Sequence, residues 1–560
     1  MERSNKNIKV AVIGAGALGL VTLKNFLEEG FDATGFERKS YVGGLWKYTL
    51  DETTSVLPST IANISKQRGC YTDFPFPDDT PSLCASSYVD DYLQSYTDHF
   101  QLRPRIRLNT AIRSIKRDDE NNKWLIAVAP AGSPDDTPTE TLIFDKLVMA
   151  TGTNDKPSMP KIDGLDTFTG RVLHSQAFKR PEDFTGKSVL VVGIGSTAGD
   201  TAVALVGHAR KIYMAHRSGA YILPRLHNGR SIDHGLTYNR MTIQKLLQRV
   251  APNMAVNMFS TFAKKIQDAA FPAIVQHPEW RLWPAPSLRQ TFPTVTDELV
   301  PALESGDIVS VPGLRRVVGP SSVELDPTIV GDKAASTSSP TTLDDIDVII
   351  FCTGYVNDLG MSLLEPRIHP ARNTNPEWLA LPGSRGKPLA RLYRNIFSLD
   401  YPDSLAFMGA AAFPTPAFQL YDIASMAVAQ IWGTELHNTS TLPSVAEMNK
   451  HVDAQHAWIL EYARAGPVYP QLTRQFEWLS WADEAAGTNV ESNLGWGLQG
   501  WKFYLGNRRL YKLLTAGVYS PHLYRIFDSD KRKKWPGARE AIERMNQQLE
   551  EELKGKSKQT

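Results

Sequence analysis

The sequence predicts an α/β fold with two Rossmann-like dinucleotide-binding domains, a larger discontinuous one and a second inserted into it, followed by a helical C-terminal extension. Three observations predict it. A strand, a glycine turn and a helix start follow one another at residues 9–20, the same succession recurs at 188–200, and two buried apolar runs, Ile143–Ala150 and Val348–Cys352, both end in Thr-Gly. A chain of 560 residues is long enough for several domains. The expected division is 1–175 for the first part of one nucleotide domain and 176–345 for the other, with a helical insertion at about 241–291. The first domain then resumes over 346–435, and 436–560 forms the extension.

Composition narrows the function classes. Apolar residues make up 42% and charged residues 22%, the balance of a globular protein. A net charge of +1 supplies no bulk field for nucleic acid or an anionic membrane, so such a partner would need a local patch. The nearest is Lys531-Arg532-Lys533-Lys534, read as a solvated surface run. Three scattered cysteines, Cys70, Cys84 and Cys352, form neither a disulfide framework nor a zinc site and imply a reducing compartment, hence a cytoplasmic location. Met1–Asn7 lacks an apolar signal core, and no apolar run approaches the roughly 18 residues of a membrane span, so no integral membrane anchor is expected.

In the first unit, Lys9–Ile13 reads as a buried strand, Gly14-Ala15-Gly16-Ala17-Leu18-Gly19 as G-x-G-x-x-G, and Leu20, Leu23, Phe26 and Leu27 repeat at helical spacing until Gly30. Gly14 permits the tight turn, Gly16 lets a pyrophosphate approach the backbone, and Gly19 lets helix pack on strand. The second strand, Ala33–Phe36, ends in Glu37, an acid placed to accept from a ribose hydroxyl. Beyond Arg38, Gly43-Gly44-Leu45-Trp46 combines glycines for close backbone approach with an aromatic that suits a flat ring system. Asn63 lies in Thr60–Lys66, ahead of Asp73-Phe74-Pro75-Phe76-Pro77, a proline-broken aromatic loop expected near the site.

Ile143–Ala150 reads as one buried strand ending in Thr151-Gly152. His174, in Phe168–Phe178, reads by itself as a hydrogen-bonded structural histidine. The second unit, Ser188–Asp200, carries Gly193-x-Gly195-x-x-Ala198, with Ser196 and Thr197 inside the turn. Its next strand, Lys211–Ala215, ends in His216-Arg217 where the first unit has an acid. An acid repels a 2′-phosphate and an arginine grips one, so the first unit suits FAD or NAD and the second suits NADPH. Residues 333–345 read as an exposed loop. The two Thr-Gly ends read as the crossings between the nucleotide domains, with Leu392–Phe397 and Leu405–Gly409 returning to the first. In the extension, Ser444 and Glu447 form a capping box and residues 538–554 form a charged helix, and the extension as a whole reads as a cover for the site or a packing surface.

These residues, in this order over roughly 8–430, resemble the flavin-containing monooxygenases. The sharpest match is Phe168-x-Gly170-x-x-x-His174-x-x-x-Phe178, similar to that family's signature. The related Baeyer–Villiger enzymes end it in tryptophan followed by proline or aspartate, whereas this chain has Phe178-Lys179. It also departs at Ser196-Thr197-Ala198, where the family often has Asn-Ser-Gly, and it lacks the hydrophobic C-terminal anchor of membrane-bound animal members.

The resemblance implies that FAD is held by Gly14, Ala15, Gly16, Ala17, Leu18, Gly19, Glu37, Arg38, Gly44, Leu45, Trp46, Asn63, Thr151 and Gly152. NADPH is held by Ala62, Asn63, Gly193, Gly195, Ser196, Thr197, Ala198, Asp200 and Arg217. NADPH reduces FAD, O2 adds to give a flavin hydroperoxide, and Asn63 with retained NADP+ preserves it until a small substrate, an amine or sulfide from specialised metabolism among the candidates, takes one oxygen. No metal or nucleic acid is implied, and the oligomeric state, a homodimer among the options, stays open. Three other readings remain: ketone oxygenation of the Baeyer–Villiger type, a quinone-type reductase, and a flavin-binding protein without catalysis.

Overall fold

The computed structural model describes residues 8–288, 291–326, 340–434 and 442–556. The N-terminal Met1–Asn7 and the greater part of the 333–345 segment therefore lie outside the described residues.

Lys9–Ile13 (β1) is an almost wholly buried strand, and the helix Ala17–Glu28 (α1) follows after three residues of turn. Asp32–Phe36 (β2) lies parallel to β1 in the register Ile13↔Phe36. These strands sit inside a seven-stranded sheet whose order is Leu392–Tyr393, Phe397–Ser398, Leu405–Phe407, Lys146–Met149, β1, β2, Ile106–Arg107. The second unit repeats the arrangement with Ser188–Val192 (β3), Ser196–Leu205 (α2) and Lys211–His216 (β4). Its sheet runs Thr341–Leu343, Ser322–Asp326, Val309–Gly319, β4, β3, Val348–Phe351, Arg171–His174. In both sheets the glycine-turn strand has a parallel neighbour on each side, which places the turn at the crevice where ligands bind in such folds. The second sheet draws all its strands from residues 171–351, between two contributions to the first.

The crossings after Thr151-Gly152 and Thr353-Gly354 pair with each other. Tyr355–Val356 runs antiparallel to Lys156–Pro157, the Ser158 N–H donates to the Gly354 carbonyl at 2.9 Å, and the Thr353 hydroxyl donates to the Ser158 carbonyl at 2.7 Å.

Three expectations need correction. Ile143–Ala150 is two strands, not one. Asp145 interrupts it, where its carboxylate accepts from the Lys9 N–H and pairs with Lys123. Glu140–Phe144 then belongs to a separate antiparallel sheet with Thr110–Asp118 and Lys123–Pro130, and Ile143 is exposed. Within the presumed loop 333–345, Thr341–Leu343 pairs with Ser322–Asp326 as an edge strand. The run Lys531–Lys534 is not uniformly solvated. Lys533 and Lys534 are exposed, but Arg532 is buried, with its Nη2 2.8 Å from Glu29 Oε1.

That last contact belongs to a largely buried network on α1, where Lys24, Asn25 and Glu29 face the protein interior and Glu28, its side chain 33% exposed, sits at the edge. Lys24 pairs with Asp73, Asn25 donates to Asp422 of the helix Ala417–Thr434 (α3) at 2.8 Å, and Arg525 Nη2 lies 2.5 Å from Glu28. Burial alone would raise the Glu28 carboxyl, but Lys24, Arg525 and Arg532 hold it far below the usual carboxylate range. Trp478, Leu514, Tyr524 and Ile542 join the apolar core formed by α1 and α3, so the C-terminal extension is a packing layer on the first nucleotide unit. The capping box is present, Ser444 and Glu447 opening the helix Val445–Ala465. Cys70, Cys84 and Cys352 are unbridged. Among the described residues no helix is long and apolar enough to cross a membrane.

Candidate functional site

The first glycine turn is shaped by contacts that admit no side chain. Gly14 has φ +108°, and a Cβ built on Gly19 would lie 1.9 Å from the Gly14 carbonyl oxygen. A Cβ on Gly14 would meet the Ala150 carbonyl at 2.5 Å, so the crossing Ala150-Thr151-Gly152 runs directly beside the turn. Gly44 presses on Gly16, where a Cβ would lie 2.9 Å from its Cα, and the Gly43 N–H donates to the Ala15 carbonyl at 3.0 Å. Gly14, Gly16, Gly44 and Thr151 are thus brought together. Trp46 meets Phe418 edge-on with ring centres 6.3 Å apart.

The arrangement fits a dinucleotide. No side chain caps α1, so its first N–H groups remain available to a pyrophosphate. Glu37 Oε2 accepts from the Ala15 N–H and Oε1 from the Lys39 N–H, both at 2.9 Å, which fixes the acid at the mouth of the turn. Thr151 Oγ1 is buried without a hydrogen-bond partner among the described residues, an orphan that a ligand at this crevice would satisfy. Arg38 points elsewhere, pairing with Asp155 just beyond the crossing.

In the second unit Gly193 has φ +142°, with the Cys352 carbonyl 2.7 Å from where a Cβ would stand, and α2 again begins without a side-chain cap. Gly195 faces open space. Arg217 is exposed after β4 and has no carboxylate partner among the described residues, while a Cβ on Gly313 would lie 2.4 Å from its Cγ. A free guanidinium at this position fits an added phosphate. Asp200 does not point freely into the turn. Its carboxylate lies 3.8 Å from Arg225, and burial pushes it up to about 6.

His174 serves structure. Its Nδ1 accepts from the Gln176 N–H at 3.1 Å, which leaves the proton on Nε2, donated to the Gly354 carbonyl at 3.0 Å. Burial keeps the ring below the usual histidine range, hence neutral. The strand carrying this histidine is thereby tied to the second crossing. The aromatic loop Asp73–Pro77 braces α1 through Lys24 and lines a cavity of about 600 Å³ against Trp535 and Met545.

Asn63 is held from the other unit. Its Oδ1 accepts from Arg225 Nε at 3.0 Å, and two residues on, the Ser65 N–H and hydroxyl both donate to Asp233 Oδ2 at 3.0 Å. Arg225 was not legible as a site residue. It lies 162 positions from Asn63, in no motif, after the two-residue strand Ile222–Leu223.

Comparison with known proteins agrees with this geometry. A family model described as flavin-binding monooxygenase-like matches residues 7–560. A monooxygenase named aurF from Gibberella zeae is 43% identical over 540 residues, covering 96% of this chain and 98% of that one. Among solved structures, an S-allyl-L-cysteine S-oxygenase from Allium sativum superposes with a TM-score of 0.57 at 20% identity, covering 90% of this chain and 94% of its own. An open form of cyclohexanone monooxygenase superposes with a TM-score of 0.61 at 16% identity, covering 87% and 98%. At such identities the two structures speak for the fold alone.

Proposed function

Because the chain belongs to the flavin-binding monooxygenase-like family, we propose that it oxygenates a nucleophilic nitrogen or sulfur in a small organic substrate. It is an FAD- and NADPH-dependent monooxygenase that consumes O2. The reading assigns FAD to the unit formed by residues 1–175 and 346–435 and NADPH to residues 176–345, with 436–560 as their cover. It places the enzyme in the cytoplasm, where its three unbridged cysteines stay reduced.

One observation carries the cofactor assignment: Glu37 anchored at the first glycine turn against an Arg217 beyond the second that has no carboxylate partner among the described residues. When bound, FAD reduced by NADPH supplies the activation of O2. The chain's own residues bind, orient and shield. Gly14, Gly16 and Gly19 leave a pyrophosphate room to approach the backbone, Ala17 and Leu18 would offer it their N–H groups while the Ala15 N–H stays on Glu37, and Gly44, Leu45, Trp46, Thr151 and Gly152 would wall the crevice. Gly193, Gly195 and Ala198 open the second turn in the same way, Ser196 and Thr197 would offer N–H groups to the second nucleotide, and Asn63 beside Ala62 would donate its amide N–H to the oxygen being transferred. None of this requires an acid–base dyad.

The test is anaerobic reduction of the purified flavoprotein by NADPH, followed by O2 with trimethylamine, a dialkyl sulfide or cyclohexanone. N-oxide or sulfoxide formed in proportion to NADPH is expected; lactone from the ketone, or NADPH oxidation by a quinone without O2, would overturn the reading. Asn63→Ala should retain FAD yet lower product per NADPH at least tenfold, the remaining reducing equivalents appearing as hydrogen peroxide. Unchanged product yield would refute the role of Asn63. Arg217→Ala should cost about 1.5–3 kcal/mol in kcat/KM for NADPH, roughly 10- to 150-fold, with little change for NADH. An unaltered preference between the two would remove Arg217 from the phosphate.

A further inference from the structure

Taking the proposed oxygenation as premise, we infer that Arg225 is a positioning residue. It fixes which face of the Asn63 amide meets the reaction crevice and thereby makes productive oxygen transfer depend on the seating of the second nucleotide unit against the first.

The argument starts from donor and acceptor chemistry. An arginine side chain has five N–H donors and no acceptor, so the amide atom facing Arg225 Nε at 3.0 Å is necessarily the oxygen of Asn63. The two N–H donors of Asn63 therefore point the other way, and none of them has a partner within the described residues. An amide turned over would present a carbonyl, which cannot donate to a developing oxygen anion.

Arg225 is itself fixed. Its side chain is 4% exposed, Nη1 donates to Glu298 Oε2 at 2.8 Å and reaches Asp297 at 3.5 Å, and Nη2 lies 3.8 Å from Asp200. Its own backbone N–H donates to Asp297 Oδ1 at 2.9 Å, so both ends of the residue are held. All three carboxylates belong to the second unit, and Asp200 lies on α2 directly behind the second glycine turn. The Ser65–Asp233 hydrogen bonds hold the same joint at a second point. Asn63 is thus oriented by a side chain whose position is set by the unit assigned to NADPH.

The experiment compares wild type with Arg225→Lys, which keeps the charge for Glu298 but has no Nε–H donor. In the apoprotein, hydrogen–deuterium exchange over residues 60–66 should rise at least fivefold in Arg225→Lys, while exchange in α1 stays unchanged. In the holoenzyme, product per NADPH should fall at least fivefold with KM for NADPH within about threefold of wild type. In an Asn63→Ala background the same substitution should have no further effect on product yield, because the group it orients is gone. Asn63→Asp, which retains the contact with Arg225 but has no amide donor, should fold normally and lose coupled product. If Arg225→Lys does not fold, Glu298→Gln, which loosens Arg225 from a half-exposed position, should give the same changes in smaller measure.

Unchanged exchange and unchanged product yield in the folded variant would overturn the inference, as would an additive loss in the double variant. A wild-type enzyme with no coupled oxygenation would instead defeat the proposed function, leaving the exchange result to judge the joint alone.

Discussion

Gly19→Ala is expected to give a protein that purifies without FAD. The added methyl group would lie 1.9 Å from the Gly14 carbonyl oxygen and 2.7 Å from its carbon, both backbone atoms in a turn already held at φ +108°. No rotamer relieves that clash, so α1 must move off β1 by more than an ångström, and the N–H groups aimed at the pyrophosphate move with it. Flavin absorbance per protein, read alongside the circular dichroism of the folded chain, measures the effect. Gly195→Ala is the internal contrast. Its methyl group meets no protein atom within 4 Å, so FAD content should stay normal and only NADPH binding should weaken. Full flavin content in Gly19→Ala would show that the turn does not carry the pyrophosphate.

Arg525→Ala should lower stability by about 1.5–3 kcal/mol, the usual cost of losing hydrogen bonds between charged groups, because Lys24 and Arg532 still pair with the carboxylates left behind. Glu28, a third exposed, and the buried Asp73 would lose a guanidinium that stands 2.5 Å and 3.4 Å away. The readout is the midpoint of denaturant unfolding followed by flavin release. The sign with pH follows from Glu28. Its folded carboxyl is held far below the unfolded value near 4.5, so the stabilisation is fully present above that value and is lost as pH falls toward the folded one. Wild type and variant should therefore converge in acid. A loss below about 1 kcal/mol at neutral pH would mean that the network contributes little to anchoring the C-terminal layer.

The two glycine turns, their flanking strands and helices, and the contrast between Glu37 and Arg217 were legible in the sequence because each is complete within about 30 residues. The spacing of glycines, apolar residues and one terminal charge there reflects local backbone geometry. The place of Asn63 was legible only through family resemblance, and Arg225 was not legible by any route, since a hydrogen bond across 162 residues leaves no trace in periodicity. The break at Asp145 was missed for a related reason. Ile143 and Phe144 belong by composition to the buried run that follows, and only their pairing with Lys123–Pro130 assigns them to another sheet.

By itself, then, the sequence determined that this chain folds with two glycine-turn α/β units, one ending its second strand in an acid and the other in an arginine, because strand, turn and helix are specified by neighbours. Tertiary structure alone decided that Lys24, Arg525 and Arg532 are interior, and that the amide of Asn63 is oriented from the other unit. Those facts depend on which surfaces meet and exclude water, and charged residues that read as solvated in a linear pattern become obligatory partners once an apolar layer closes over them.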